Sequence, residues 1–285
     1  MSHSPAPAPA PALLDLAVRA ARLGGGELLR RVHSFVQTGA KSSPTDPVTD
    51  ADLASESAVV GLLTSERPAD GLLGEEGAER TSRSGLRWVV DPLDGTVNYL
   101  YGIPHSAVSI ACQRADGDGW QTIVGVVYDV ARDEMFTAAR GQGSRLNGEP
   151  LSVNNPVGLS SALVTTGFSY RSGARARQAA VLPALLPAVR DIRSSGSAAL
   201  DLAWVAAGRC DACYEDELAL WDRAAGELIV TEAGGIALPF DDGVIAAGPA
   251  LYPGLRALVT AGRHPLGRSG MPQRGGPFSA SQVRD

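Results

Sequence analysis

The stretch Trp88-Val89-Val90-Asp91-Pro92-Leu93-Asp94-Gly95-Thr96-Val97-Asn98-Tyr99 decides how this chain folds and where its chemistry sits. Three apolar residues run into two carboxylates three positions apart, with Pro92 fixing a turn between them and Gly95-Thr96 following at once. The pattern predicts a metal site at the end of a strand. Carboxylate oxygens suit hard divalent ions such as Mg2+, which keep several waters and bind through a few carboxylates plus a substrate phosphate. Gly95 and Thr96 open a helix whose first backbone N–H groups favour an anion. The segment therefore points to metal-assisted phosphate chemistry.

Three further segments supply acidic residues in matching contexts. Gly74-Glu75-Glu76-Gly77 follows the apolar pair Leu72-Leu73 and offers Glu75 at another strand or loop end. Trp221-Asp222-Arg223-Ala224-Ala225-Gly226 places Asp222 in the first turn of an alanine-rich helix. Upstream, Thr49-Asp50-Ala51-Asp52 forms a Thr-x-x-Asp box before a helical run, the Asp standing where a capping box usually has Glu or Gln. Thr49 is read as the N-cap. Asp46, Asp50 and Glu76 are read as solvated or supporting neighbours of these groups, and His105 as a surface or packing residue.

Around the leading stretch, short β-rich runs at Trp88–Val90, Ser106–Ala111, Thr122–Tyr128 and Met135–Ala139 predict a sheet at the centre of the first half. Two helices precede it, over residues 13–36 and 50–66, separated by a loop over 37–48. Beyond Pro156 the pattern alternates. Strands are expected at 163–165, 191–193, 210–215 and 244–247, and helices at 173–189, 197–207 and 222–233 with one more at the end, which indicates an α/β half. The alternating prolines of residues 1–12 read as a stiff arm outside the fold, and the Gly-, Ser-, Pro- and Arg-rich residues 264–285 as a disordered tail. The organisation expected is thus an N-terminal α+β half over 13–155 and a C-terminal α/β half over 156–263.

At 285 residues the chain can bury a large core. With 25 Lys plus Arg against 31 Asp plus Glu, its net charge of −6 disfavours a general nucleic-acid surface, which is built from basic clusters. No apolar run reaches the roughly 18 residues of a membrane span. The N-terminus lacks the basic start and apolar core of a secretory signal, so a cytoplasmic protein is expected. Three cysteines form no disulfide framework. Cys210-Asp211-Ala212-Cys213 has thioredoxin-like spacing but follows a helix and leads into a strand, where residues three apart face opposite ways, so buried thiols are the expectation. Arg171, Arg175 and Arg177 are read as a solvated face rather than an anion patch.

Taken together and in this order, the four acidic segments resemble the inositol monophosphatase family. The resemblance runs from about residue 13 to 262. Its signatures are Trp-x-x-Asp-Pro-x-Asp-Gly-Thr-x-Asn-aromatic, met by residues 88–99, and Trp-Asp-x-Ala-Ala-Gly, met by Trp221–Gly226; Gly141-Gln142-Gly143 with Asn147-Gly148, and Gly196–Ala203, also look like family segments. The resemblance implies a layered αβαβα sandwich with the active site between its halves. It implies Mg2+ held by Glu75, Asp91 and the Leu93 carbonyl, a second ion among Asp91, Asp94 and Asp222, and a third, weaker ion at Glu75. By the same resemblance Thr96 and Asp52 orient and deprotonate the attacking water. Gly95 and Thr96 N–H groups hold phosphate, and Lys41 balances charge from a loop. Gly196, Ser197, Ala198 and Glu215 match positions that contact inositol hydroxyls. The implied activity is hydrolysis of myo-inositol 1-phosphate or a similar sugar phosphate by a lithium-sensitive homodimer. Relatives acting on fructose 1,6-bisphosphate, histidinol phosphate, phosphoadenosine phosphates or NADP stay open, as does a role as a partner of the transcription machinery.

Overall fold

The computed structural model describes residues 10–40 and 46–263. The chain opens with α1 (Ala10–Arg31), followed by β1 (Gln37–Ala40), β2 (Pro47–Thr49), α2 (Asp50–Glu66), β3 (Gly71–Gly74) and β4 (Glu79–Arg80). The leading stretch forms β5 (Leu86–Asp94) and α3 (Thr96–Leu100), and then come β6 (Ala107–Asp116), β7 (Gly119–Asp129), β8 (Glu134–Ala139), β9 (Ser144–Leu146) and β10 (Glu149–Pro150). The remainder holds β11 (Leu163–Thr165), α4 (Ser172–Ala179), α5 (Leu182–Leu185), β12 (Asp191–Arg193), α6 (Ala198–Ala206) and β13 (Ala212–Glu215). It closes with α7 (Leu220–Glu232), β14 (Ile236–Phe240), β15 (Gly243–Ala247) and α8 (Tyr252–Arg263).

Two mixed sheets organise these elements. The larger has the order β10-β9-β8-β7-β6-β5-β3-β4, antiparallel except for the β3–β5 pair. The smaller runs β12-β11-β13-β15-β14, with parallel pairing on both sides of β11. Period-two alternation sorts each strand between layers. Trp88 and Val90 join Ile110, Val124 and Val126 in a core under α1 and α2, whereas Val89, Ala107 and Val127 face the other way, onto α6 and α7. From the smaller sheet, Cys213, Val244 and Ala246 meet those same two helices, while Ala212, Tyr214, Ile245 and Ala247 pack against α5 and α8. The result is the layered αβαβα sandwich. Helix α6 lies between two sheets, which explains why nearly every one of its side chains is apolar and buried.

Close packing explains two departures from local propensity. Glycines are unfavourable in a helix interior, yet a Cβ at Gly24 would stand 2.7 Å from Ser55 Oγ and one at Gly25 would stand 2.5 Å from the Tyr128 ring. The helix keeps its glycines because α2 and β7 press against it there. Trp88, fully buried, donates from Nε1 to Asp70 Oδ2 at 3.1 Å, and Asp70 also accepts from Arg67 and Ser84. A buried indole N–H is thereby satisfied.

Several boundaries differ from the sequence reading. Helix α1 begins at Ala10, so residues 10–12 belong to it and not to the N-terminal arm, and it stops at Arg31 instead of 36. The expected loop over 37–48 contains the paired β1 and β2. The expected helix over 173–189 is two short helices, because Pro183 sits in the first turn of α5 and has no N–H to continue α4. The expected strand over 210–215 starts only at Ala212, so the opposite-face argument for the two cysteines does not apply. Cys210 and Cys213 are buried in the same core, and burial pushes Cys210 up to about 12 and Cys213 well above its usual range. Strand β14 went unread because Pro239 disguises it; as the edge strand beside β15 it tolerates a proline. The remaining N-terminal arm and the expected tail lie outside the described residues. No helix among the described residues is long and apolar enough to cross a membrane.

Candidate active site

The leading stretch contains a bulge. Strand β5 continues through Pro92 to Asp94, and its register against β6 slips between Asp91, opposite Ser109, and Asp94, opposite Ala107. Three residues on one strand therefore span two on the other. Residues three apart on a regular strand face opposite ways; here the extra residue re-aims the chain, as bulges beside functional sites do, and Asp91 and Asp94 line one cleft. The turn expected at Pro92 is this bulge, pinned from α2 by Ser55 Oγ donating to the Pro92 carbonyl at 2.8 Å.

The cleft has a volume of about 600 Å³, within the range of small-molecule sites. Glu75, immediately after β3, reaches it because its N–H donates to the Val90 carbonyl of β5 at 3.1 Å, which extends the parallel pairing by one residue. Asp222 enters from the opposite layer in the first turn of α7, where its Oδ2 accepts from Ala219 N–H at 2.6 Å. One oxygen of Asp91 is fixed in the same manner by Leu93 N–H at 3.0 Å. Asp94 Oδ2 accepts from Ser197 Oγ at 2.5 Å and Ala199 N–H at 2.8 Å, which ties β5 to the start of α6. Backbone and hydroxyl donors thus set the orientation of the Asp91, Asp94 and Asp222 carboxylates.

These acids sit in unfavourable electrostatic company. Burial, and then the charges of Glu75, Asp94 and Asp222, hold the Asp91 carboxyl well above the usual carboxylate range. Burial raises Asp94 to about 6, opposed by its hydrogen bonds from Ser197 and Ala199. Glu215, at the end of β13, is pushed well up by burial and by the charges of Asp201, Asp222 and Asp94. Gly167 makes room for it, since a Cβ there would stand 1.9 Å from Glu215 Oε1.

Thr96 and Asp52 meet behind the cleft floor. Thr96 Oγ1 lies 3.2 Å from Asp52 Oδ1 and 3.1 Å from the Leu93 carbonyl, so its single proton serves one acceptor at a time. Asp52 is fully buried, and its other oxygen closes the capping box by accepting from Thr49 N–H at 2.8 Å and Thr49 Oγ1 at 2.6 Å. One carboxylate both caps α2 and faces Thr96. Gly95 (φ 93°) and Gly196 (φ 87°) bring their backbones together in left-handed conformations; a Cβ on Gly95 would lie 3.1 Å from the Gly196 carbonyl. Gly196, Ser197 and Ala198 line the cleft beside them.

The structure thus gathers Glu75, Asp91, Leu93, Asp94, Gly95, Thr96, Gly196, Ser197, Ala198, Glu215 and Asp222 around one cleft, with Asp52 behind Thr96. Lys41 lies outside the described residues. Asp46, read as a solvated neighbour, lines the cleft, and so does Arg171, read as part of a solvated face. Asn98 received no role from the sequence, yet its Nδ2 donates to the His105 and Ser195 carbonyls, each at 2.8 Å, and joins α3 to the loop before α6. Its partners are remote in sequence, so spacing carries no sign of them. The aromatic wall of Phe168 and Tyr170 was missed for the same reason. His105 is buried edge-on to Trp204 and is a packing residue.

The model of the inositol monophosphatase family matches residues 12–268. The chain belongs to that family. A relative from Pasteurella multocida, named Nus factor SuhB, is 43% identical over 235 residues, covering 81% of this chain and 86% of that protein. The protein named inositol-1-monophosphatase SuhB from Mycobacterium tuberculosis is 45% identical over 236 residues, covering 77% and 80%. Among solved structures, the extragenic suppressor protein suhB of Bartonella henselae superposes with a TM-score of 0.80 at 36% identity, covering 87% of this chain and 98% of that one. Membership of the inositol monophosphatase family makes the protein a phosphatase, and its sandwich is the fold of those structures.

Proposed function

We propose that this phosphatase is a Mg2+-dependent monoesterase acting on myo-inositol 1-phosphate or a closely related sugar phosphate. The observation that carries the reading is the convergence of Glu75, Asp91, Asp94 and Asp222 on one cleft, with the Thr96–Asp52 pair behind it and Glu215 across from it. The donor set consists of carboxylates and the Leu93 carbonyl, all hard oxygens of the kind Mg2+ takes. Among the described residues no group of three His, Cys, Asp or Glu is arranged to hold an ion as it stands. Carboxylates pushed toward their neutral forms by burial, and further by one another's charge, also favour a cation.

When bound, Mg2+ supplies charge neutralisation and a more acidic water. The chain's own groups do the rest. Thr96 Oγ1 holds the attacking water and passes its proton to Asp52 Oδ1. As the new P–O bond forms, the ester P–O bond breaks and the sugar oxygen leaves, taking a proton from solvent. Gly95 and Thr96 N–H groups hold the phosphate oxygens. Glu215 accepts from adjacent hydroxyls of the ring, which selects polyols over substrates that lack them. In this reading the 13–155 half carries most of the metal ligands, and the 156–263 half carries Asp222 and the ring contacts.

Phosphate release from myo-inositol 1-phosphate, measured with Mg2+ and with excess chelator, tests the reading. Turnover should vanish in chelator and return on adding Mg2+. Full activity in chelator would sink it.

A further inference from the structure

Part of the cleft surface takes no role in hydrolysis at the carboxylate cluster. At the rim the charged groups satisfy one another: Arg171 and, from α4, Arg177 hold the Glu217 carboxylate, and Arg263 is held by Asp216 and Asp241. The surface beside Glu215 that is left to a ligand includes two aromatic rings. Phe168 and Tyr170 both line the cleft, and Tyr170 is 37% exposed.

The topology sets these rings next to Glu215. Strand β11 runs parallel to β13 with Thr165 opposite Cys213. Two residues on, Gly167 lies against Glu215, where a Cβ would stand 1.9 Å from Oε1. The chain then passes beyond the carboxyl ends of the parallel strands, the place where open α/β sheets bind ligands. Ser169 is fixed there on both sides: its N–H donates to Gln178 Oε1 at 2.8 Å, and its carbonyl accepts from Arg175 Nη1 at 2.9 Å. Gln178 is buried and donates from Nε2 to Asp216 Oδ1 at 2.6 Å, one residue beyond Glu215. Phe168 and Tyr170 flank the fixed residue, so α4 holds both rings where a carboxylate and an aromatic wall border one volume. Such a pairing suits a ring that is polar at its edge and apolar on its face. The equatorial hydroxyls of a cyclitol or pyranose point outward to a carboxylate, while its axial C–H bonds, slightly positive, meet the negative face of an aromatic ring. An open-chain polyol offers hydroxyls but no such face.

We propose that Phe168 and Tyr170 are specificity-determining residues that stack on the face of a cyclic leaving group, so that the cleft selects phosphates of ring alcohols over those of open-chain polyols. Glu215 reads the edge of the ring and the aromatic wall reads its face. The proposal rests on the sugar-phosphate reading of the same cleft.

The test compares kcat/KM for three phosphates in the wild type, Phe168→Ala, Tyr170→Ala, Phe168→Tyr and Tyr170→Phe. Inositol 1-phosphate has a ring and hydroxyls, 4-nitrophenyl phosphate has a ring alone, and glycerol 2-phosphate has hydroxyls on a secondary ester but no ring. Each alanine variant should lower the ratio of either ring substrate to glycerol 2-phosphate about 3- to 10-fold, mainly through KM, as expected for losing one aromatic contact. The variants that keep an aromatic ring should hold the ratio near the wild-type value. Retained turnover of glycerol 2-phosphate shows that an alanine variant is folded. Equal losses on all three substrates, an unchanged ratio in both alanine variants, or a loss in Tyr170→Phe as large as in Tyr170→Ala would each overturn the stacking assignment. A wild type that hydrolyses 4-nitrophenyl phosphate and glycerol 2-phosphate but not inositol 1-phosphate would instead sink the inositol reading, and the wall would then stand or fall on the ratio of those two substrates.

Discussion

Asp94 shows how much one side chain carries. Its Oδ2 receives Ser197 and Ala199, while its charge faces Glu75 and Asp91. Asp94→Asn keeps a carbonyl oxygen for both donors and removes the charge. Turnover should fall by roughly 100-fold or more, since even residues that only support a metal ligand cost about 10- to 100-fold, and a thermal melt should move little. Near-normal turnover of a folded Asp94→Asn protein would remove Asp94 from the ligand set. Glu215 is placed on the substrate instead. Glu215→Gln should cost inositol 1-phosphate about 10- to 150-fold and 4-nitrophenyl phosphate much less, because the latter has no hydroxyls to recognise. The Glu215 carboxyl titrates above its usual range, so Gln resembles the protonated wild type, and the gap between the two proteins should widen as pH rises. Equal loss on both substrates would make Glu215 catalytic or structural.

At the scale of elements, the site depends on how closely α7 lies on the large sheet. A Cβ at Gly125 of β7 would stand 2.7 Å from the Ala225 carbonyl of α7, and Ser109 Oγ of β6 donates to the Trp221 carbonyl at 3.2 Å. Asp222 rides on the same helix. Gly125→Ala should therefore overpack this contact, destabilising by about 1–3 kcal/mol, and should also lower activity by shifting Asp222 relative to Asp91. Denaturant unfolding and turnover measured on the same preparation check this, and an unchanged midpoint would show that the layers have room to spare. The elements that the sequence revealed are those with local signatures. The Thr49–Asp52 box marks the start of α2 at Asp50, and the alternation of Trp88, Val89 and Val90 marks β5. The bulge at Pro92 was not legible, because a slipped register is a relation between two strands and not a property of one.

For the whole molecule, the mid-layer helix α6 contains a buried acid that is not part of the cleft lining. Asp201 has one oxygen without a hydrogen-bond partner, and burial, with the Asp94 charge adding to it, raises its carboxyl to about 8. Between pH 4 and pH 8 the unfolded chain has released this proton and the folded chain retains it, so the stability gained from the protonated form declines as pH rises through that window. The slope is at most about 1.4 kcal/mol per pH unit. Asp201→Asn should flatten this decline and raise the melting temperature at pH 8 relative to pH 5. Parallel melting curves for the two proteins across that range would show that Asp201 is ionised in the native state.

The sequence by itself determined the family, the strands and helices with strong periodicity, and which acidic segments to look for at the cleft, because each of these is written in neighbouring residues. Only the tertiary structure decided how the carboxylates are aimed and held. Asp91 and Asp94 share a cleft through a bulge against β6, Asp52 divides its oxygens between Thr49 and Thr96, and Glu215 fits because Gly167 has no side chain. The rim was decided in the same way. Arg171 is 46 residues from the carboxylate it pairs with, and such a partnership exists only once the layers have packed, since contact between distant residues is set by the fold and not by spacing along the chain.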